Sequence, residues 1–157
     1  MQKDSLEIKE LMTEHASIFS KRLTEESEEY LKHFIPFAEY SEAYLNKILS
    51  EKRLDKYFGL FLNKKLVGFY MLRGFDKGHE IPSYGVWISS KYANMGLSTL
   101  TLYHAFSFCK INKIKTLMLK VHPENITAKN LYEKHGFKQT GIDERIKHLI
   151  YHKSISF

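Results

Sequence analysis

The chain has 157 residues, 43% of them hydrophobic and 14% aromatic, with 24 Lys and Arg against 18 Asp and Glu. That length bounds it to one domain, and so apolar a composition excludes a disordered chain. No run approaches the 18 or more apolar residues of a membrane span. The N-terminal Met1-Gln2-Lys3-Asp4-Ser5 carries no secretory pattern. A single cysteine, Cys109, forms neither an internal disulfide nor a cysteine-based zinc site, so the expectation is a cytoplasmic protein without metal.

The net charge of +6 is unevenly placed. Residues 1–54 carry 8 basic and 11 acidic side chains, whereas 55–157 carry 16 basic and 7 acidic. Within 91–138, eight lysines face only Glu124 and Glu133. A Lys-rich composition accounts for the amount of charge, but a local positive field points to an anionic ligand.

In chain order, 5–11 alternates polar and apolar residues and predicts a half-buried strand. From 13 to about 49 the spacing is helical. Ile18, Leu23, Tyr30, Leu31 and Phe34 recur first, then Tyr40, Tyr44, Leu45 and Ile48, with Pro36 dividing two helices and Ser41 capping the second. The apolar runs 57–62 and 66–72, joined by Asn63-Lys64-Lys65, predict a hairpin. A loop at 74–78 leads to a third strand over 81–89. A helix over 96–112 follows, its apolar side carrying Leu97, Leu100, Phe108 and Ile111, with Cys109 in the core. The run 116–121 predicts a buried strand, and 127–135 a helix closed by Gly136. Two closing strands, 137–140 and 147–152, complete a mixed α/β class: a mostly antiparallel sheet flanked by helices. The C-terminal strand is expected to be exposed and able to pair with a partner subunit in a homodimer.

Two segments have the character of a ligand site. In 86–99 a strand ends, small residues follow and a helix begins at Gly96-Leu97-Ser98-Thr99. Unpaired N–H groups and the helix dipole suit a phosphate there, although an ordinary strand–helix turn looks the same. In 121–137, Asn125 opens a helix and Tyr132 lies two turns on, with the small Ala128 between them on one face. Taken separately, Asn125 is an N-cap and Tyr132 a packed aromatic.

Together these segments resemble the GCN5-related N-acetyltransferase (GNAT) superfamily, over about 55–157. Asn125, Ala128, Leu131-Tyr132 and Gly136-Phe137 match its N-x-x-A-x-x-L-Y-x-x-x-G-F signature. The pyrophosphate loop R/Q-x-x-G-x-G/A matches less well. Ala93 stands where Arg or Gln is usual, and Gly96 alone of the glycines is present, with Asn94 able to take a left-handed conformation. The resemblance implies acetyl transfer from acetyl-CoA to an amine. The strands of Tyr84 and of Leu117 would splay apart to admit the pantetheine arm. Main-chain groups of Trp87 and Ile88 would pair with that arm, and one amide of the same strand would polarise the thioester carbonyl. The loop from Asn94 and Met95 through Thr99 would hold the pyrophosphate, Asn125 and Ala128 the arm, and Tyr132 would protonate the departing thiolate. A base is required for the ammonium; Glu80 is the first candidate, followed by His79 and Tyr84. Arg73, His79 and Tyr84 would face the acceptor, a small-molecule amine such as an amino sugar or sugar nucleotide; a peptide N-terminus is the other class. Two further readings are a CoA-binding protein of this fold without catalysis and a nucleic-acid-binding module. The second has only pI 9.2 and scattered lysines behind it, with no recognised motif.

Overall fold

The computed structural model describes residues 3–34, 36–51 and 54–156. Met1, Gln2 and Phe157, which bound the segments read above, lie outside them.

β1 (Leu6–Glu10), β2 (Lys56–Leu62) and β3 (Lys65–Arg73) form an antiparallel meander. The β2–β3 turn is shorter than expected: Lys65 already belongs to β3, leaving Asn63 (φ 49°) and Lys64 (φ 69°) as a two-residue connection. Two left-handed residues follow the twist of the flanking strands, so the hairpin keeps its favoured turn shape without the Asn-Gly pair.

The helical region before the hairpin is three helices rather than two: α1 (Ala16–Thr24), α2 (Glu28–Leu31) and α3 (Glu42–Glu51). The break missed in the sequence is at Ser27. Its Oγ accepts the Tyr30 N–H at 3.1 Å and starts a new helix instead of continuing the old one. Ser41 does cap α3, accepting the Tyr44 N–H at 3.2 Å.

β4 (Ser83–Ile88), α4 (Leu97–Ile111), β5 (Thr116–Val121), α5 (Ile126–Lys134), β6 (Lys138–Asp143) and β7 (His148–Ser154) complete the chain. The sheet order is β1-β2-β3-β4-β5-β7-β6. The side of α4 that packs on the sheet carries Thr101, Leu102, Ala105 and Cys109. The expected stripe is displaced: Leu100 is partly exposed and Ile111 is 80% exposed. Apolar side chains lie on several sides of this helix, so periodicity has little to select from and the sheet makes the choice. Cys109 is fully buried, and burial pushes its thiol up to about 11, which removes it as a nucleophile. β7 lies between β5 and β6 and is paired on both sides, so the C-terminal strand offers no edge to a partner; the edge is β6.

β3 is buried on both faces, and its side chains divide between two cores. Phe69 and Met71 join Phe19, Leu23 and Trp87 beneath α1 and α3, while Tyr70 and Leu72 join Tyr84, Leu102 and Tyr132 beneath α4 and α5. No described helix is long and apolar enough to cross a membrane.

Candidate active site

The site begins where the sheet comes apart. β4 and β5 are parallel, and their ladder holds only Ser83 against Met118 and Tyr84 against Leu119. Beyond that point neither strand has the other as a partner. Strand alternation decides which groups face the opening. The Ser89 N–H bonds to the Val67 carbonyl at 2.8 Å, which places the main-chain groups of Ser89, and by alternation those of Trp87, on the β3 side. The Pro82 carbonyl accepts the Met118 N–H at 3.0 Å, so Pro82, Tyr84, Val86 and Ile88 turn the other way. The groups presented to the gap are therefore those of Val86 and Ile88, with Val86 in the place the sequence reading gave to Trp87. One of them is engaged: the Tyr30 hydroxyl donates to the Ile88 carbonyl at 2.6 Å.

At the far end of β4 the chain turns into α4. Asn94 (φ 64°) and Gly96 (φ 80°) are both left-handed, which leaves the first N–H groups of α4 without a side-chain cap. Main-chain N–H groups at such a helix start suit an anion. Gly96, Leu97, Ser98 and Thr99 line the cleft with Asn94, whereas the Met95 side chain is 63% exposed and does not. A Cβ on Gly96 would meet nothing within 4 Å, so its replacement tests backbone strain alone. Gly96→Ala is expected to cost about 1–2 kcal/mol in urea unfolding; an unchanged midpoint would mean that the loop takes another conformation in solution.

Across the gap, Asn125 caps α5, its Oδ1 accepting the Ala128 N–H at 3.2 Å. The helix ends with Gly136 at φ 92° and the Phe137 N–H on the Tyr132 carbonyl at 3.0 Å. This C-terminal motif fixes the turn from which Tyr132 projects. Tyr132 is buried against Tyr84 and Phe137, with ring centroids 6.4 and 5.7 Å away. Its hydroxyl makes no hydrogen bond among the described residues, and the residue lines the cleft. Burial raises its pKa well above the ordinary tyrosine value, so the phenol stays protonated. The Tyr84 hydroxyl is instead held by Thr101 Oγ1 at 3.0 Å, on the α4 side of the sheet.

A family model, described as the acetyltransferase (GNAT) family, matches residues 10–137. The chain belongs to the GNAT acetyltransferase family. Solved GNAT structures superpose over nearly the whole chain. An acetyltransferase of the family from Streptococcus pneumoniae has a TM-score of 0.77 at 22% identity, covering 97% of this chain and 100% of its own. The PaiA N-acetyltransferase of Thermoplasma acidophilum, in complex with coenzyme A, has a TM-score of 0.76 at 23% identity, covering 96% and 99%. A chimera of the Vibrio cholerae and human spermidine N-acetyltransferases has a TM-score of 0.77 at 18%, covering 95% of each chain. No curated protein matches by sequence.

In this GNAT protein the cleft, ≈ 2030 Å³ in volume, opens on both sides of the sheet. The side opposite α4 and α5 is walled by Tyr30, Phe34, Tyr44 and Trp87. Glu26 fixes part of this wall, accepting from Trp87 Nε1 at 3.1 Å and from the Ser90 N–H at 3.0 Å. His79 and Glu80 lie in the exposed loop before β4 and line the cleft. Arg73 lines it too, but its Nη1 donates to the Pro36 carbonyl at 2.9 Å and its guanidinium lies over Phe37. Its first task is thus to hold the loop after α2. The sequence reading missed a histidine group on this face. His33 stacks on His122 with centroids 3.8 Å apart, and His148 meets His122 edge-on at 5.3 Å. Burial, then the neighbouring His122, depresses the pKa values of His33 and His148. Only the pleat, which puts Lys120 and His122 on one side of β5 and His148 beside them on β7, assembles this group.

Proposed function

We propose that the protein is a cytoplasmic N-acetyltransferase that moves the acetyl group of acetyl-CoA to a primary amine of a small polar molecule. The observation that carries this reading is the separation of β4 from β5 in a cleft that a buried, protonated Tyr132 also lines. The main chain of Val86 and the N–H of Ile88 face the gap and supply groups for a strand-like ligand, such as a chain of amides, while the Ile88 carbonyl is held by Tyr30. The first turn of α4, from Gly96 to Thr99, receives the pyrophosphate, with Asn94 shaping the loop and Asn125 and Ala128 leaving room along α5. An Ala at position 93 removes a side-chain contact but no main-chain N–H.

Transfer forms a carbon–nitrogen bond and breaks the thioester carbon–sulfur bond. Glu80, exposed at the acceptor side, takes the first proton from the ammonium, Tyr132 gives its own to the departing sulfur, and the second proton that the nitrogen sheds on becoming an amide restores the phenol. The aromatic wall of Tyr30, Phe34, Tyr44 and Trp87, with Glu80 and Arg73 nearby, suits a stacked polar ring carrying an amine, as in an amino sugar. One solved relative is named for spermidine, an amine of another kind, which is why the acceptor is tested as a class.

The cofactor half of the proposal is tested by thermal shift. At a hundredfold excess over Kd, acetyl-CoA is expected to stabilise by about 2.7 kcal/mol, read as a rise of about 5–10 °C for a chain of this size. No shift at millimolar concentration would refute it. Thiol release across amino sugars, polyamines and amino acids then tests the acceptor. Binding without release from any amine would favour a CoA-binding protein without catalysis.

A further inference from the structure

We propose that His33, His122 and Glu124 form a binding site for a divalent transition-metal ion, zinc foremost, at the rim of the cleft. One ligand atom from each lies within 4.8 Å of the other two. Tetrahedral zinc, with bonds of about 2.0–2.1 Å, needs donors about 3.4 Å apart, so closure by up to about 1.4 Å completes the set. Side-chain rotation supplies that closure, because both histidines are only half-buried and Glu124 is exposed. Two imidazoles and a carboxylate select zinc, cobalt or nickel over magnesium and calcium, which prefer all-oxygen sites.

The two rings stack at 3.8 Å with a 21° tilt, which holds them side by side but leaves their in-plane lone pairs nearly parallel, so each ring must turn out of the stack to share one ion. The Glu124 N–H donates to His122 Nδ1 at 3.1 Å, which orients that ring and leaves Nε2 directed away from its own main chain. Coordination through Nε2 moves the ring proton to Nδ1 and gives up this bond. Water replaces it at little cost because Glu124 is exposed. His148, 5.3 Å from His122 between ring centroids, lies beside the set but outside it, so water fills the fourth position. The ligands come from two places, just after α2 and just after β5, so the ion would tie the α2 segment to the end of β5. No ligand spacing in the chain announces the cluster, since His33 and His122 are far apart in sequence. The proposal does not depend on acetyl transfer.

Calorimetric titration of the whole chain with zinc in a non-chelating buffer tests it. One ion per chain is expected. His33→Ala and His122→Ala should each weaken binding by more than about 100-fold, beyond what loss of an outer partner does. His79→Ala, at a histidine outside the cluster, should leave it unchanged. Cobalt should give the intense visible absorption of a tetrahedral site, lost in His122→Ala. Far-ultraviolet circular dichroism confirms that each variant is folded. Absence of saturable zinc binding would overturn the proposal, as would an affinity unaltered in both cluster variants.

Discussion

Replacing Tyr132 with Phe is expected to lower kcat by about 10²–10⁴-fold while leaving KM for acetyl-CoA nearly unchanged. The ring is packed against Tyr84 and Phe137, and Phe preserves those contacts. The hydroxyl makes no hydrogen bond to the described residues, so its removal leaves no protein group newly unsatisfied and the melting temperature should hardly move. What is lost is a proton kept in place by burial. The pKa of Tyr132 is raised above the ordinary value near 10, so the phenol remains an acid throughout the neutral and mildly alkaline range. Any alkaline fall in kcat below that value must therefore come from another group, and an acidic limb from the base. Steady-state kinetics on the variant decide the matter. Wild-type turnover would reduce Tyr132 to a packed aromatic.

Phe69→Ala is expected to destabilise the fold by about 3–5 kcal/mol, a large share of the roughly 5–15 kcal/mol that holds a domain together. Phe69 is fully exposed to neighbours and not at all to solvent. Its ring meets Phe19 at 4.6 Å, Phe34 at 5.6 Å, Phe37 at 5.8 Å and Trp87 at 6.3 Å. Those partners come from α1, the segment after α2 and β4, so the cavity would open where the acceptor wall is anchored. Urea unfolding gives the value directly. A loss under about 1 kcal/mol would mean that the surrounding rings collapse into the space.

Much of this architecture was legible in the sequence, for reasons that differ by element. The β2–β3 hairpin, β5 and α5 announce themselves because local pattern and capping residues agree: alternation or apolar runs in the strands, Asn125 and Gly136 at the ends of the helix. The match of Asn125, Ala128, Tyr132 and Gly136 to one family signature likewise depends on residues close together in the chain. The break at Ser27 was missed because a serine inside a helical pattern caps only when tertiary packing turns the chain there. The buried side of α4 is not legible because apolar residues lie on several sides of the helix and leave only a weak periodic signal.

The charge with which the chain was first read has the same two parts. The sequence alone establishes the basic surplus in its second half and predicts the helix that starts at Gly96, since both are properties of consecutive residues. Only the tertiary structure decides that Val86, not Trp87, faces the gap, because that depends on which strand each main-chain group is paired with. Only it joins His33 to His122 and ties Arg73 to Pro36, contacts made across the sheet by residues that no local pattern links.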